Sequence, residues 1–173
     1  MSHQEVSQPE VWLRGPVQGV PVELQPVAHA LLQALEDVRR LAADLQPETL
    51  WRRPGGAASI GFHLRHMTGS LDRLLTYARG EALSDGQRAA LAAEHGADAS
   101  VAELLEAFEA AVAGALDQLR ATAAADLDAA RAVGRAGLPS SVRGLLYHAG
   151  EHTARHAGQI STTRRILDGL AAG

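Results

Sequence analysis

The stretch LLYHAGEHTARHAGQI, residues 145–160, carries His148, His152 and His156, three of the chain's eight histidines, spaced four apart. In a helix, residues four apart are separated by roughly 6 Å along the axis and about 40° around it, so two such imidazoles can converge on one ion. The outer two of three are roughly 12 Å apart, which keeps a straight helix from closing all three on one metal. Either His148–His152 or His152–His156 therefore forms a ligand pair, and a third ligand must come from another element. The segment GFHLRHM, residues 61–67, offers His63 and His66. Ligands in helical bundles are supplied by facing helices. Three neutral imidazoles leave the ion's double positive charge intact and at least one position open, the layout of a catalytic site. Such a centre lowers the pKa of bound water toward about 7, or deprotonates a coordinated thiol. Water as nucleophile makes a hydrolase, and a small external thiol makes a transferase. The same residues also serve a non-catalytic metal-binding or ligand-binding module, or a histidine-rich core without metal.

The remaining candidates have plainer readings beside the functional ones. Glu151, Asp72 and Gln159 are near the histidines in sequence and are candidates to orient the imidazoles, though Glu151 and Asp72 also suit a solvated helix face. Tyr147, Arg155 and Arg73 are candidates for contact with an anionic substrate. His29 lies among apolar residues and reads as a packed or hydrogen-bonded side chain. His3 and His95 fall in connections and read as solvated.

Composition excludes several other classes. The chain has no cysteine, so disulfides, thiolate ligands and a protein thiol nucleophile are absent from it. All sixteen basic residues are arginine, the formal net charge is −4, and the two signs are interleaved, unlike the basic stripe that tracks a phosphate backbone. No nucleophile elbow, phosphate-binding loop or dinucleotide-binding glycine pattern occurs. The first residues, MSHQEVSQPEVWLRG, lack a secretory signature, and no apolar run reaches the roughly 18 residues of a membrane span. The expectation is a cytoplasmic protein with a small-molecule substrate and neither nucleic-acid nor membrane partners.

These side chains need helices to position them. Residues 1–21 are rich in Pro and Gly and read as a lead-in, with Trp12 and Leu13 as its anchors. From Pro26, apolar residues at Val27, Leu31, Leu35, Val38 and Leu45 keep a helical spacing that Pro47 ends. Ser59 is placed to cap a second helix, IGFHLRHMTGSLDRLLTYAR, which Gly80 closes. Residues 81–99 form a polar connection with a short helix around Gln87 to Glu94. Ser100 and Glu103 make a capping box for a third helix reaching about Ala123. Pro139 and Ser140 open the last helix, which stops near Gly169. No alternating β-branched segments bounded by hairpin turns are visible. Gly61, Gly69, Gly144, Gly150 and Gly158 fall inside helices and imply close approach of the second helix to the last. The fold class is all-α: one domain over 1–173, with an extension at 1–21 and a four-helix bundle at 22–169.

The pair of segments SIGFHLRHMTGSLDRLLTYARGE and LLYHAGEHTARHAGQI resembles the DinB-like (DinB/YfiT) superfamily of four-helix-bundle metalloproteins. The likeness covers roughly residues 24–168, and HAGQI, close to the end of an H-x-x-x-H-x-G-Q-[IL] pattern, is its most specific part. The resemblance implies His66, His152 and His156 as metal ligands. It implies zinc or nickel as the ion and a homodimer as the assembly. It also implies a metal-dependent enzyme that activates a low-molecular-weight thiol such as bacillithiol, mycothiol or glutathione for transfer to a small electrophile. His29, His63 and His148 lie outside the family's minimal pattern.

Overall fold

A computed structural model describes residues 8–172; His3 lies outside them. Six α-helices are present among these residues: α1 (Gln25–Ala42), α2 (Pro47–Leu50), α3 (Ile60–Ala78), α4 (Asp85–Ala92), α5 (Val101–Ala121) and α6 (Val142–Ala172). The four long ones form the bundle. α6 packs on α1 and α3, and α5 packs on the same two, so α1 and α3 sit on one diagonal and α5 and α6 on the other. Consecutive long helices α1 and α3 thus do not lie side by side, and the chain from 43 to 59 crosses the end of the bundle. No helix among the described residues is long and apolar enough to cross a membrane.

The core is aliphatic. Val27, Leu31, Leu35 and Val38 of α1, and Leu45 beyond it, are all buried, as their spacing requires. Leu64, Met67 and Leu71 from α3, Phe108, Val112 and Leu119 from α5, and Leu146 and Ile160 from α6 complete it. Truncating one such leucine to alanine costs about 2–5 kcal/mol.

Local signals set the helix ends. Ser59 accepts the Phe62 N–H at 3.1 Å. Gly80, at φ +80, lets the Glu81 N–H reach the Thr76 carbonyl at 3.2 Å and close α3. Ser100 and Glu103 form the reciprocal capping box expected, and Ser84 with Gln87 forms a second that starts α4 two residues before Gln87. α1 ends at Ala42, before Pro47, which instead opens the single turn of α2.

Three expectations need correction. First, a two-stranded antiparallel hairpin is present: β1 (Ala130–Val133) pairs with β2 (Leu138–Ser141). Four-residue strands are too short to show alternation, and their turn is signalled only by Gly134 and Gly137, both at positive φ. The hairpin covers an end of α3, where Arg131 Nε donates to the Ala78 carbonyl at 2.7 Å. Second, β2 takes up Pro139 and Ser140, so α6 starts at Val142, with Ser141 Oγ accepting the Gly144 N–H at 3.1 Å. Third, Trp12 and Leu13 do not anchor the lead-in; both are exposed, whereas Val11 and Val20 are buried. The Val11 N–H donates to Gln33 Oε1 at 2.9 Å, and His29 Nε2 lies 3.0 Å from the Gly15 carbonyl. His29 is therefore a tether for the lead-in.

The glycines act differently from expectation as well. Gly150 admits α1: a Cβ there would stand 3.2 Å from Val27 Cγ1. Gly61 admits the Trp51 ring, and Gly158 faces open space. The approach of α3 to α6 does not depend on these glycines.

Candidate metal centre

α3 and α6 run against each other, and this contact brings the histidine clusters together. One ligand nitrogen each from His66, His152 and His156 lie within 4.8 Å of one another, close enough to hold a metal ion. The ring centroids are 4.7 Å apart for His66–His156, 4.5 Å for His152–His156 and 5.1 Å for His66–His152. All three rings are half-buried. The geometry gathers His152–His156 and His66, and leaves His148 and His63 outside the group. His148 is exposed, with Nδ1 3.3 Å from Glu151 Oε2.

Hydrogen bonding orients the first ring. His66 Nδ1 lies 2.8 Å from Glu94 Oε2 and 2.7 Å separates Glu94 Oε1 from Arg73 Nη2. An ionised carboxylate only accepts, so Nδ1 of a neutral His66 carries the proton and Nε2 presents its lone pair. That lone pair faces His152 Nε2 at 3.0 Å. Two ligand nitrogens at the usual metal–nitrogen distance stand about 2.9 Å apart at a right angle and about 3.3 Å apart in a tetrahedron. The separation therefore fits two ligands of one cation. His152 Nδ1 is buried without a partner, which leaves Nε2 as the nitrogen with a defined neighbour. His156 Nδ1 lies 3.0 Å from His63 Nδ1, and His63 is buried at 6% exposure.

The two α6 rings and His63 are kept neutral. Burial first, then His66, His148 and Arg155 nearby, push His152 down to about 4. Burial first, then His152, His66 and His63, push His156 down to about 3. His63 is lowered too, by burial and by His66. A neutral imidazole is the ligand form, so these rings need not lose protons to receive a cation near neutral pH.

The other candidates have different partners. Glu151 forms a two-point ion pair with Arg155, at 2.9 and 2.5 Å. Asp72 Oδ2 accepts from Gln87 Nε2 at 2.8 Å, and Gln159 and Tyr147 are exposed. Arg73 faces Glu94 rather than open solvent. The residue that supports His66 is Glu94, which sequence reasoning placed in a polar connection. Its only local signal was the end of the short helix α4, and nothing in a single sequence says that this end folds back on α3. His95, read as solvated, is exposed but stacks on Phe62 at 5.0 Å. Phe62 in turn stacks on His66 at 5.4 Å with ring planes 9° apart.

Comparison with known proteins adds the family context. A model of the DinB superfamily matches residues 30–160. The fold is similar to that in the crystal structure of a DinB-like protein from Bacillus cereus ATCC 10987, with a TM-score of 0.62 and 15% identity over 80% of this chain and 91% of that one. A comparison with curated proteins finds no match.

Proposed function

The chain belongs to the DinB superfamily, and from that premise we propose that it holds a zinc or nickel ion through His66, His152 and His156 and is a metal-dependent thiol transferase. The observation that carries the reading is the convergence of three imidazoles from two facing helices, with no carboxylate among them. When bound, a divalent ion at such a site supplies Lewis acidity that keeps a small thiol deprotonated at neutral pH. The protein's own residues do the rest. Glu94 holds the His66 ring with its Nε2 lone pair toward the site, and Arg73 lies against the other oxygen of Glu94. Phe62 stacks on one face of the His66 ring. The thiolate sulfur bonds to the electrophilic carbon of the second substrate, and the electron pair displaced there takes up a proton. Since thiols are good nucleophiles already, the site's main task is orientation.

The reading includes a homodimer in solution. The exposed Ile166 and Leu170, four residues apart on α6, are the apolar side chains that support it. Sedimentation at micromolar concentration is expected to give twice the chain mass, and a monomer alone would remove this part.

Activity is tested by conjugation of bacillithiol, mycothiol, glutathione and cysteine to a set of small electrophiles, using metal-loaded, chelated and His66→Ala protein. The loaded wild type is expected to be the active preparation. Equal rates in all three with every thiol, and ester or amide hydrolysis only in the loaded form, would replace the transferase by a hydrolase.

A further inference from the structure

Beside the triad lies a second feature that neither the metal nor the bundle accounts for. A cavity of about 170 Å³ is lined by Trp51, Arg53, Ala58, Ser59, Phe62, His95 and Ala97. Its inner wall is Phe62, whose ring lies stacked against His66. A molecule in the cavity is therefore one aromatic ring away from a metal ligand.

The cavity is built rather than incidental. Trp51 forms one wall and is fixed on three sides. Its Nε1 donates to the Ala99 carbonyl at 3.2 Å, and the Arg65 guanidinium lies 5.3 Å above its ring. Beneath it, Gly61 leaves room that no other residue would: an added Cβ would stand 2.6 Å from the indole. Phe62 and His95 form a second aromatic wall, stacked at 5.0 Å.

The polar lining has one sign. Among the described residues, Arg53 donates only to the carbonyls of Ala57 and Gly56, at 3.3 and 3.2 Å, and has no acidic partner. Among the described residues no aspartate or glutamate lines the cavity, which makes this guanidinium unlike Arg65, Arg73 and Arg155, each paired with a carboxylate. The Ser59 side chain and the His95 ring add polar groups to the same lining. A guanidinium recognises a carboxylate by two parallel hydrogen bonds, and the ring edges of Trp51 and Phe62 suit a small apolar body beside it.

We propose that this cavity binds the carboxylate of a small substrate, with Arg53 as the specificity-determining residue and the edges of Trp51 and Phe62 bounding the adjoining apolar portion. The proposal rests on the reading of the imidazole triad as the reaction centre. The carboxylate belongs either to the electrophile or to a thiol co-substrate, since both classes carry one.

The test uses the full chain and its own reporter. The protein has two tryptophans, so a Trp12→Phe background leaves Trp51 as the sole indole signal. Benzoate stands for the electrophile's carboxylate and S-methylglutathione for the thiol's, with benzamide as the neutral counterpart of benzoate. Titrations are run on metal-loaded and on chelated protein. Saturable change in Trp51 emission with either carboxylate is expected, with benzamide and the Arg53→Gln variant each weaker by about tenfold or more, and Arg53→Lys in between. The responding probe names the source of the carboxylate. Binding that survives chelation keeps the cavity even if the triad takes no metal. The proposal is overturned if neither carboxylate binds, if benzamide matches benzoate, or if Arg53→Gln binds as wild type does.

Discussion

His66 Nδ1 lies 2.8 Å from Glu94 Oε2, across 28 residues of sequence, and the carboxylate that holds it is only 6% exposed. A carboxylate accepting the second ring nitrogen of a metal-binding histidine sets the tautomer and raises the basicity of the first. Its own desolvation is offset by Arg73, whose Nη2 is 2.7 Å away and which is itself largely buried. The three groups form one charge-linked unit between α3 and the end of α4.

Replacing Glu94 by Gln keeps the shape and removes the charge. Zinc affinity, measured by competition with a chromogenic chelator, is expected to fall by about 10–100-fold. The chelated variant should also melt earlier than chelated wild type, because Arg73 is left buried without its counter-charge. Unchanged affinity would show that His66 needs no partner to present Nε2.

The triad itself predicts stoichiometry. Metal analysis of untagged protein is expected to find close to one zinc or nickel per chain. His152→Ala removes the nitrogen that faces His66 at 3.0 Å and should abolish binding. His95→Ala removes only a ring stacked on Phe62 and should leave it intact. Full occupancy in a His152→Ala, His156→Ala double variant would refute the ligand set.

The metal-free protein should be acid-sensitive in a defined window. Its His152 and His156 titrate at about 4 and about 3, below the ordinary 6.5 that they regain on unfolding. Above 6.5 both states are neutral at these rings and the stability is fully present. As pH falls below 6.5 the unfolded chain takes up protons that the folded one refuses, so stability declines until the folded pKa values are reached. Chemical denaturation of chelated protein at pH 7, 6, 5 and 4 should show this decline, with a shallower slope in His156→Gln. A flat profile from pH 7 to 5 would mean that the rings are more hydrated than their positions indicate.

The sequence was informative wherever a signal was local. Serine caps, the closing Gly80 and the spacing of Val27, Leu31, Leu35 and Val38 each act within a few residues, and each appears where its chemistry requires. The His152–His156 pair is local too, since i,i+4 geometry is a property of one helix. His66 over His63 was implied by the family pattern alone, because which of two rings faces α6 depends on packing between helices. Glu94 was invisible for the same reason: its contact with His66 arises from a connection that returns to α3 across 28 residues. The hairpin at 130–141 escaped notice because two four-residue strands carry no period of their own.

Two glycine substitutions should separate packing from propensity. Gly61 and Gly158 both lie in long helices, where Gly→Ala stabilises by about 0.5–1 kcal/mol if the added methyl group meets nothing. At Gly158 nothing lies within 4 Å of the added Cβ, so Gly158→Ala should raise Tm by the propensity term alone. At Gly61 the Cβ would stand 2.6, 2.7 and 2.8 Å from three carbons of the Trp51 ring. The ring cannot swing aside freely, because its Nε1 is bonded to the Ala99 carbonyl and Arg65 lies over its face. Relieving the overlap means breaking that hydrogen bond or moving the chain around Trp51, at a cost of about 1–3 kcal/mol, which outweighs the propensity gain. Gly61→Ala should therefore lower Tm and, in the Trp12→Phe background, shift Trp51 emission toward that of a more hydrated indole. Metal content should be unchanged, since His66 is held from its other side by Glu94. If Gly61→Ala stabilised the protein as Gly158→Ala does, with no change in emission, Trp51 would not be seated on α3 and the wall of the neighbouring cavity would be lost with it.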